Sequence, residues 1–450
     1  MFQQTDPMLG TLIPSFAGRL FGRQIPSGSQ WRKNLRFWGS VRIAAVLVLG
    51  ICSCADKEGY PDDLSYPQRA DLIVEESPKL NPNNPSPPGG LEKSIANLAL
   101  VGGKILDPIK LPEATQAEIT KLLDEQFGTP AQPRVGNGKA ELGDLGKKLK
   151  LDSQTLAQGS VAYRRNCLHC HGLSGDGKGS SGLWVHPPPR DFRQGRFKFI
   201  STNPAKNLNR PRREDILRTL RMGLHGTSMP AFGILPPEEL EALASYVIHL
   251  GIRGEVEFSI EKTLLKPQSQ VVNLFENFLP DEEVSKAQET LTYFLPKFVK
   301  EIVGQYHTAE SQILIPPEYP FKDSELSDSI KRGFRLFSSQ APDALGCVSC
   351  HIDYGRQSPW QYDEWGSLNR PSNLTAGIYK GGRRPLDLFW RIKRGIPPSK
   401  MPAATLTGED EVKKTWDLVN FIEALPYPAT LPEEVRNAVY GPTGRITKPN

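Results

Sequence analysis

The sequence has no apolar stretch long enough to cross a bilayer, which takes about 20 residues. Ile43 to Cys52 is a short apolar run, soon broken by Ser53, Asp56 and Lys57. Charge of one sign is also lacking. Six of the 55 basic residues and one of the 50 acidic ones precede Cys54, so the remainder is balanced at 49 against 49. Bulk charge thus gives no case for a nucleic-acid partner. Sulfur and imidazole side chains able to bind a metal are few: six cysteines, seven histidines and five methionines in 450 residues. Their placement is therefore informative. With 40 glycines and 40 prolines, long loops are expected between few long regular elements, and the length allows two or three domains.

The first 54 residues read as an export leader. A basic, acid-free stretch from Gln30 to Arg42 runs into the apolar Ile43 to Cys52, the order of a signal peptide. Ile51-Cys52-Ser53-Cys54 resembles a bacterial lipoprotein box, with Cys54 as the lipidated residue and mature N-terminus. An ordinary signal peptide cut nearby is the alternative. Both place the protein outside the cytoplasm, on the periplasmic side, and the first anchors it to the membrane by lipid. Residues 55 to 95 are rich in Pro, Asn, Ser and charge and are expected to form a disordered tether. A helical lead-in covers 96 to 150, with one helix from Pro112 to Phe127 stopped by Gly128 and Pro130.

Four of the six cysteines fall in two copies of one motif, Cys167-Leu168-His169-Cys170-His171 and Cys347-Val348-Ser349-Cys350-His351. Cys-x-x-Cys-His is the attachment signature of a c-type haem. Two thiols two residues apart can add to the two vinyl groups of one haem, and the adjacent His then faces the iron. A zinc site, a disulfide and a thioredoxin-like pair also use Cys-x-x-Cys, but none needs the trailing His.

Haem iron has a sixth position, for which a thioether is the donor to seek. Met229-Pro230-Ala231 and Met401-Pro402-Ala403 lie 58 residues after His171 and 50 after His351, one for each motif. Met is often a flexible core filler, yet here the surroundings repeat. Asp215 to Leu224 matches Asp387 to Ile396 in register, and Gly223 and Gly395 each precede Met-Pro-Ala by six. Met222 has no counterpart, because Arg394 stands there. Pro189, Asp191, Phe192, Gly195 and Phe197 are answered by Pro371, Asn373, Leu374, Gly377 and Tyr379, and Gly159 and Tyr163 by Gly333 and Phe337. Amphipathic helices are expected after each Met, from Pro236 to Leu250 and from Gly408 to Leu425. One fold is used twice.

Each unit resembles a class I cytochrome c domain, over residues 151 to 255 and 322 to 440. The tandem is similar to dihaem cytochromes of bacterial respiratory chains. The expected fold is mainly α: two tandem helical domains with long irregular loops, a helical linker over 256 to 321, the tether, and a tail over 441 to 450. The resemblance implies two covalent haem c groups, held by Cys167 and Cys170 and by Cys347 and Cys350. His171 with Met229, and His351 with Met401, would ligate the irons. It also implies crossed helices built on Gly159, Tyr163 and Tyr246, and on Gly333, Phe337 and Phe421. A Pro carbonyl, with Pro189 and Pro371 as candidates, would orient each His.

The function so implied is one-electron transfer, without acid, base or nucleophile, among redox proteins or membrane respiratory complexes. A dihaem peroxidase and a fixed subunit of a quinol-oxidising or terminal oxidase complex are the rivals. A Met for each haem argues against the peroxidase. Residues 187 to 221 hold ten Lys or Arg against three acids, and 370 to 401 hold eight against one. These cations either neutralise haem propionates or steer acidic partners. Gly175-Asp176-Gly177-Lys178-Gly179 lacks the phosphate-loop pattern and reads as a turn. The linker carries Val284, Ala287, Leu291, Phe294, Phe298, Ile302 and Val303 at helical spacing, with a kink expected at Pro296. Packing on the cytochrome units is expected, with contact to a membrane complex as the alternative.

Overall fold

A computed structural model of the chain describes residues 59–76, 104–136, 142–203, 210–265, 283–338, 344–363, 368–397, 399–406 and 408–441. All of these fall in one unit, Lys57–Asn450. The expected leader, Cys54 and the expected tail beyond 441 lie outside the described residues.

The chain is mainly helical. In order the helices are α1 (Glu113–Phe127), α2 (Gly143–Leu149), α3 (Ser153–Asn166), α4 (Leu168–His171), α5 (Arg213–Met222), α6 (Pro237–Leu264), α7 (Glu283–Ser311), α8 (Leu326–Phe337), α9 (Pro385–Arg394), α10 (Glu411–Ala424) and α11 (Glu433–Tyr440). Among the described residues, strands form only two small antiparallel ribbons. They are β1 (Ile73–Glu76) with β2 (Lys104–Leu106), and β3 (Gln361–Tyr362) with β4 (Leu368–Asn369). No described helix is long and apolar enough to cross a membrane.

The helix ends follow from local chemistry. The Asp152 carboxylate accepts from Thr155 N at 2.9 Å and starts α3. The matched Asp215 and Asp387 sit three residues into α5 and α9. Each accepts the backbone N–H ahead of its helix, from Arg212 at 3.0 Å and from Arg384 at 3.2 Å.

Two helix crossings build the two cores. α3 meets α6 at Gly159, where a β-carbon would lie 2.2 Å from Ala242 O. α8 meets α10 at Gly333, where one would lie 2.0 Å from Asp417 O. No other residue permits that approach. Next to each crossing an aromatic pair is buried: Tyr163 and Tyr246 at 5.2 Å between ring centroids, Phe337 and Phe421 at 5.5 Å. Leu156 and Leu243 complete the first crossing, and Ile330 and Leu418 the second. Each such side chain contributes about 1.5–3 kcal/mol by leaving water.

The expected tether is corrected where it is described. Residues 59–76 are docked on the first unit, with Tyr60 and Tyr66 buried. The physical reason is an ion network on the far half of α6. Arg253 and Glu257 pair there at 3.2 Å, and Arg69 reaches Glu261 at 3.6 Å. Arg193 holds Asp71 at 2.9 Å and Asp191 at 2.7 Å. Arg69 and Asp71 thus meet buried partners rather than water.

The expected linker is helical where it is described. Its first part continues α6, which the sequence pattern ended at Leu250, and α7 packs into the first core through Leu291, Leu295, Val299, Ile302, Val303 and Tyr306. Phe294 and Phe298 flank that stripe instead of centring it. Pro296 lies on the exposed side of α7. The first core therefore draws on both flanks of its cytochrome-like unit, whereas the second is built from residues after Ser311.

Candidate functional site

Each Cys-x-x-Cys-His motif forms a tight turn. Cys167 follows α3, and His171 N donates to Cys167 O at 2.9 Å; His351 N donates to Cys347 O at the same distance. The glycine run after His171 is the expected turn: Gly177 N donates to His171 O at 2.9 Å and Gly179 N to Cys170 O at 3.1 Å.

His171 Nδ1 lies 3.2 Å from Arg190 O, and His351 Nδ1 lies 3.2 Å from Ser372 O. A carbonyl only accepts, so Nδ1 carries the proton in both rings and Nε2 keeps its lone pair. This corrects the expectation for Pro189 and Pro371, since in both units the carbonyl belongs to the residue after the proline. Burial drives the His171 pKa down to about 4 and lowers that of His351, which keeps both rings neutral, as ligands must be.

The methionine loops are pinned alike. Gly223 (φ +64) and Gly395 (φ +70) end α5 and α9 in the left-handed region. A β-carbon there would lie 2.7 Å from Met229 O or 2.5 Å from Met401 O. Leu224 N donates to Met229 O at 3.1 Å and Ile396 N to Met401 O at 3.0 Å. Phe232 N and Ala404 N then reach back to Leu220 O and Ile392 O, both at 2.8 Å. The glycines six residues ahead of each Met-Pro-Ala are thus backbone requirements of the loop.

These elements enclose two cavities. One of about 470 Å³ is lined by Cys167, Cys170, His171 and Met229 together with Phe192, Phe197, Ile216, Leu220 and Val247. The other, of about 430 Å³, is lined by Cys347, Cys350, His351 and Met401 with Leu374, Tyr379, Leu388, Ile392 and Leu418. Each brings two thiols, one imidazole and one thioether into an apolar crevice. That donor set fits a covalently attached haem with two axial ligands. Met222 lines neither of these cavities, and His169 borders the first.

The competing chemistries fit less well. Burial pushes the Cys167 thiol up to about 12 and the Cys347 thiol up to about 11, the reverse of a thioredoxin-like nucleophile. All four cysteines are free of disulfides. Among the described residues no group of three His, Cys, Asp or Glu side chains could hold a metal ion. His249 lies far along α6 in a box of Tyr66, Phe127 and Tyr246, away from both cavities.

The cavities adjoin. Lys198, Phe199, Asn369 and Lys380 line both. The two units are stitched there by Arg391, which donates to Lys198 O at 3.2 Å and Ile200 O at 3.1 Å, and by Arg394, which donates to Thr202 Oγ1 at 3.0 Å. Sequence reasoning singled out none of these wall residues. The local excess of Lys and Arg was its only trace.

Residues 154–247 match the family described as cytochrome C oxidase, cbb3-type, subunit III. The matched stretch runs from α3 into α6 and takes in Cys167, Cys170, His171 and Met229. Among solved structures, a chain of the Kuenenia stuttgartiensis reducing HAO-like protein complex is similar at 20% identity. The likeness covers 60% of this chain and 95% of that one, with a TM-score of 0.37. No curated protein matches the chain significantly.

Proposed function

We propose that this chain, whose residues 154–247 match the family described as cytochrome C oxidase, cbb3-type, subunit III, is a dihaem electron-transfer cytochrome with His171 and Met229 on one iron and His351 and Met401 on the other. The observation that carries the reading is the repeated cavity: both crevices gather two thiols, a neutral imidazole and a thioether in apolar walls. Haem c supplies a one-electron ferric–ferrous couple. The residues do the rest. Cys167 and Cys170, with Cys347 and Cys350, would hold the group covalently. The carbonyls of Arg190 and Ser372 fix each imidazole by its Nδ1 proton. Gly223 and Gly395 let the methionine loops fold back and close the crevices. The apolar walls exclude water and favour a relatively high potential. No acid or base chemistry is assigned to the protein.

In this reading the protein is exported and held at the periplasmic face by a lipid on Cys54, and it exchanges electrons with redox proteins or a respiratory complex. A second reading, a fixed subunit of a terminal oxidase complex, is favoured by the matched family, which is that of an oxidase subunit. Co-purification of partner subunits from detergent-solubilised membranes separates the two.

The test is haem content with oxidised and reduced absorption spectra, with and without carbon monoxide, on full-length protein made with the haem-attachment machinery. Two covalent haems per chain, neither binding carbon monoxide, are expected. One haem, or none, overturns the dihaem assignment; ready carbon monoxide binding by the native protein overturns the double His/Met ligation.

A further inference from the structure

The wall between the two cavities is cationic and short of counter-charge. Lys198 and Lys380 border both crevices. Lys198 reaches the buried Asp363 at 3.3 Å, and its amine is nonetheless lowered to about 8, by burial and then by the neighbouring Arg190. Among the described residues no carboxylate forms an ion pair with Lys380, whose amine is also lowered, first by burial and then by Arg370. Arg391, on the second cavity, is 6% exposed and is lowered to about 9 by burial and by Arg218. Among the described residues no Asp or Glu lines the second cavity, and Asp215 is the one acid that lines the first. Buried cations of this kind are stable only with anions beside them.

Phe199 closes the same wall. Its ring borders both cavities and lies against Gly381, where a β-carbon would be 2.4 Å from Phe199 Cδ1. The Arg391 guanidinium stands 5.5 Å over that ring. The partition between the crevices is therefore one aromatic ring, two lysines and Asn369.

We propose that Lys198 and Lys380 form a shared anchor for the propionate carboxylates of both haems, so that one pair of cations sets the potentials of two haems together. This rests on the dihaem reading. A haem brings two carboxylates into a crevice whose described lining holds at most one, and the shared wall is where both crevices present cations. Reduction adds an electron to an iron, and a nearby cation favours that state. A cation common to two haems must act on both.

The test is a potentiometric titration of full-length holoprotein, followed by absorbance, alongside the haem count. Lys380→Met and Lys198→Met keep side-chain length and remove the charge. Each is expected to lower both midpoints by comparable amounts. Arg370→Met removes a cation that lines the second cavity alone and is expected to move chiefly one. With two haems present, a shift confined to one midpoint in both lysine variants, or no shift in either, overturns the shared anchor and leaves the dihaem reading standing. A single haem in the native chain overturns both.

Discussion

Phe199 of the first unit packs so closely on Gly381 of the second that a β-carbon on Gly381 would lie 2.4 Å from Phe199 Cδ1. The contact is side chain to backbone, so neither partner can give way without moving a cavity wall. Gly381→Val is expected to destabilise the protein by about 1–3 kcal/mol, as overpacking does. Urea unfolding followed by helical signal measures it. An unchanged midpoint would show that the units are not pressed together at this point.

Met229 and Met401 line separate cavities, so their losses should be separable. Met229→Ala and Met401→Ala are each expected to leave two covalent haems and make one of them bind carbon monoxide, with the midpoint of that haem lowered. The double variant should bind two equivalents. Carbon monoxide difference spectra titrated to saturation give the count. Binding by the native protein, or none by a single variant, would contradict the ligand assignment.

Arg193 is 3% exposed and holds Asp71 and Asp191 together. Arg193→Met leaves two carboxylates facing each other in a poorly hydrated site, which costs about 3–5 kcal/mol when one partner of a buried pair is removed. The segment 59–76 should then detach before the rest unfolds. Limited proteolysis near Tyr60 and Tyr66, compared with native protein, reports that release; equal resistance would count against the ion network as the clasp.

His249 is fully buried among aromatic rings, and burial lowers its pKa from the ordinary imidazole value of about 6.5 to about 3. Between those values the unfolded chain binds a proton that the folded chain does not. Stability from this group is therefore complete above pH about 6.5 and is lost as pH falls below it. The slope approaches about 1.4 kcal/mol per pH unit. His249→Phe should lack this component. Urea midpoints of both proteins at about pH 7 and about pH 5 test it, and parallel losses in the two would rule His249 out as the source.

The sequence revealed most where a residue type is rare and its spacing is fixed by covalent geometry. Cys167, Cys170, His171 and Met229 could be grouped because few alternatives existed, and the repeat assigned Cys347, Cys350, His351 and Met401. Gly159 and Gly333 were legible for a related reason: only glycine allows two backbones to meet so closely. What stayed hidden lacks a side-chain signature. The carbonyls of Arg190 and Ser372 are backbone atoms, and any residue could carry them. Lys198, Phe199 and Lys380 acquire meaning only when two units distant in sequence come together. Arg69 and Asp71 looked like solvated charge in a Pro-rich stretch, because their partners lie far away, on α6 and at Arg193.

The first core takes side chains from residues before α3 and from α7, which ends at Ser311, while the second is gathered from residues after it. During synthesis, the first unit cannot complete its packing until about 240 residues after Tyr66 have emerged, whereas the second needs only its own contiguous stretch. The N-terminal unit is thus the slower to mature. Its thiols Cys167 and Cys170 therefore stay in an open chain until α7 is in place.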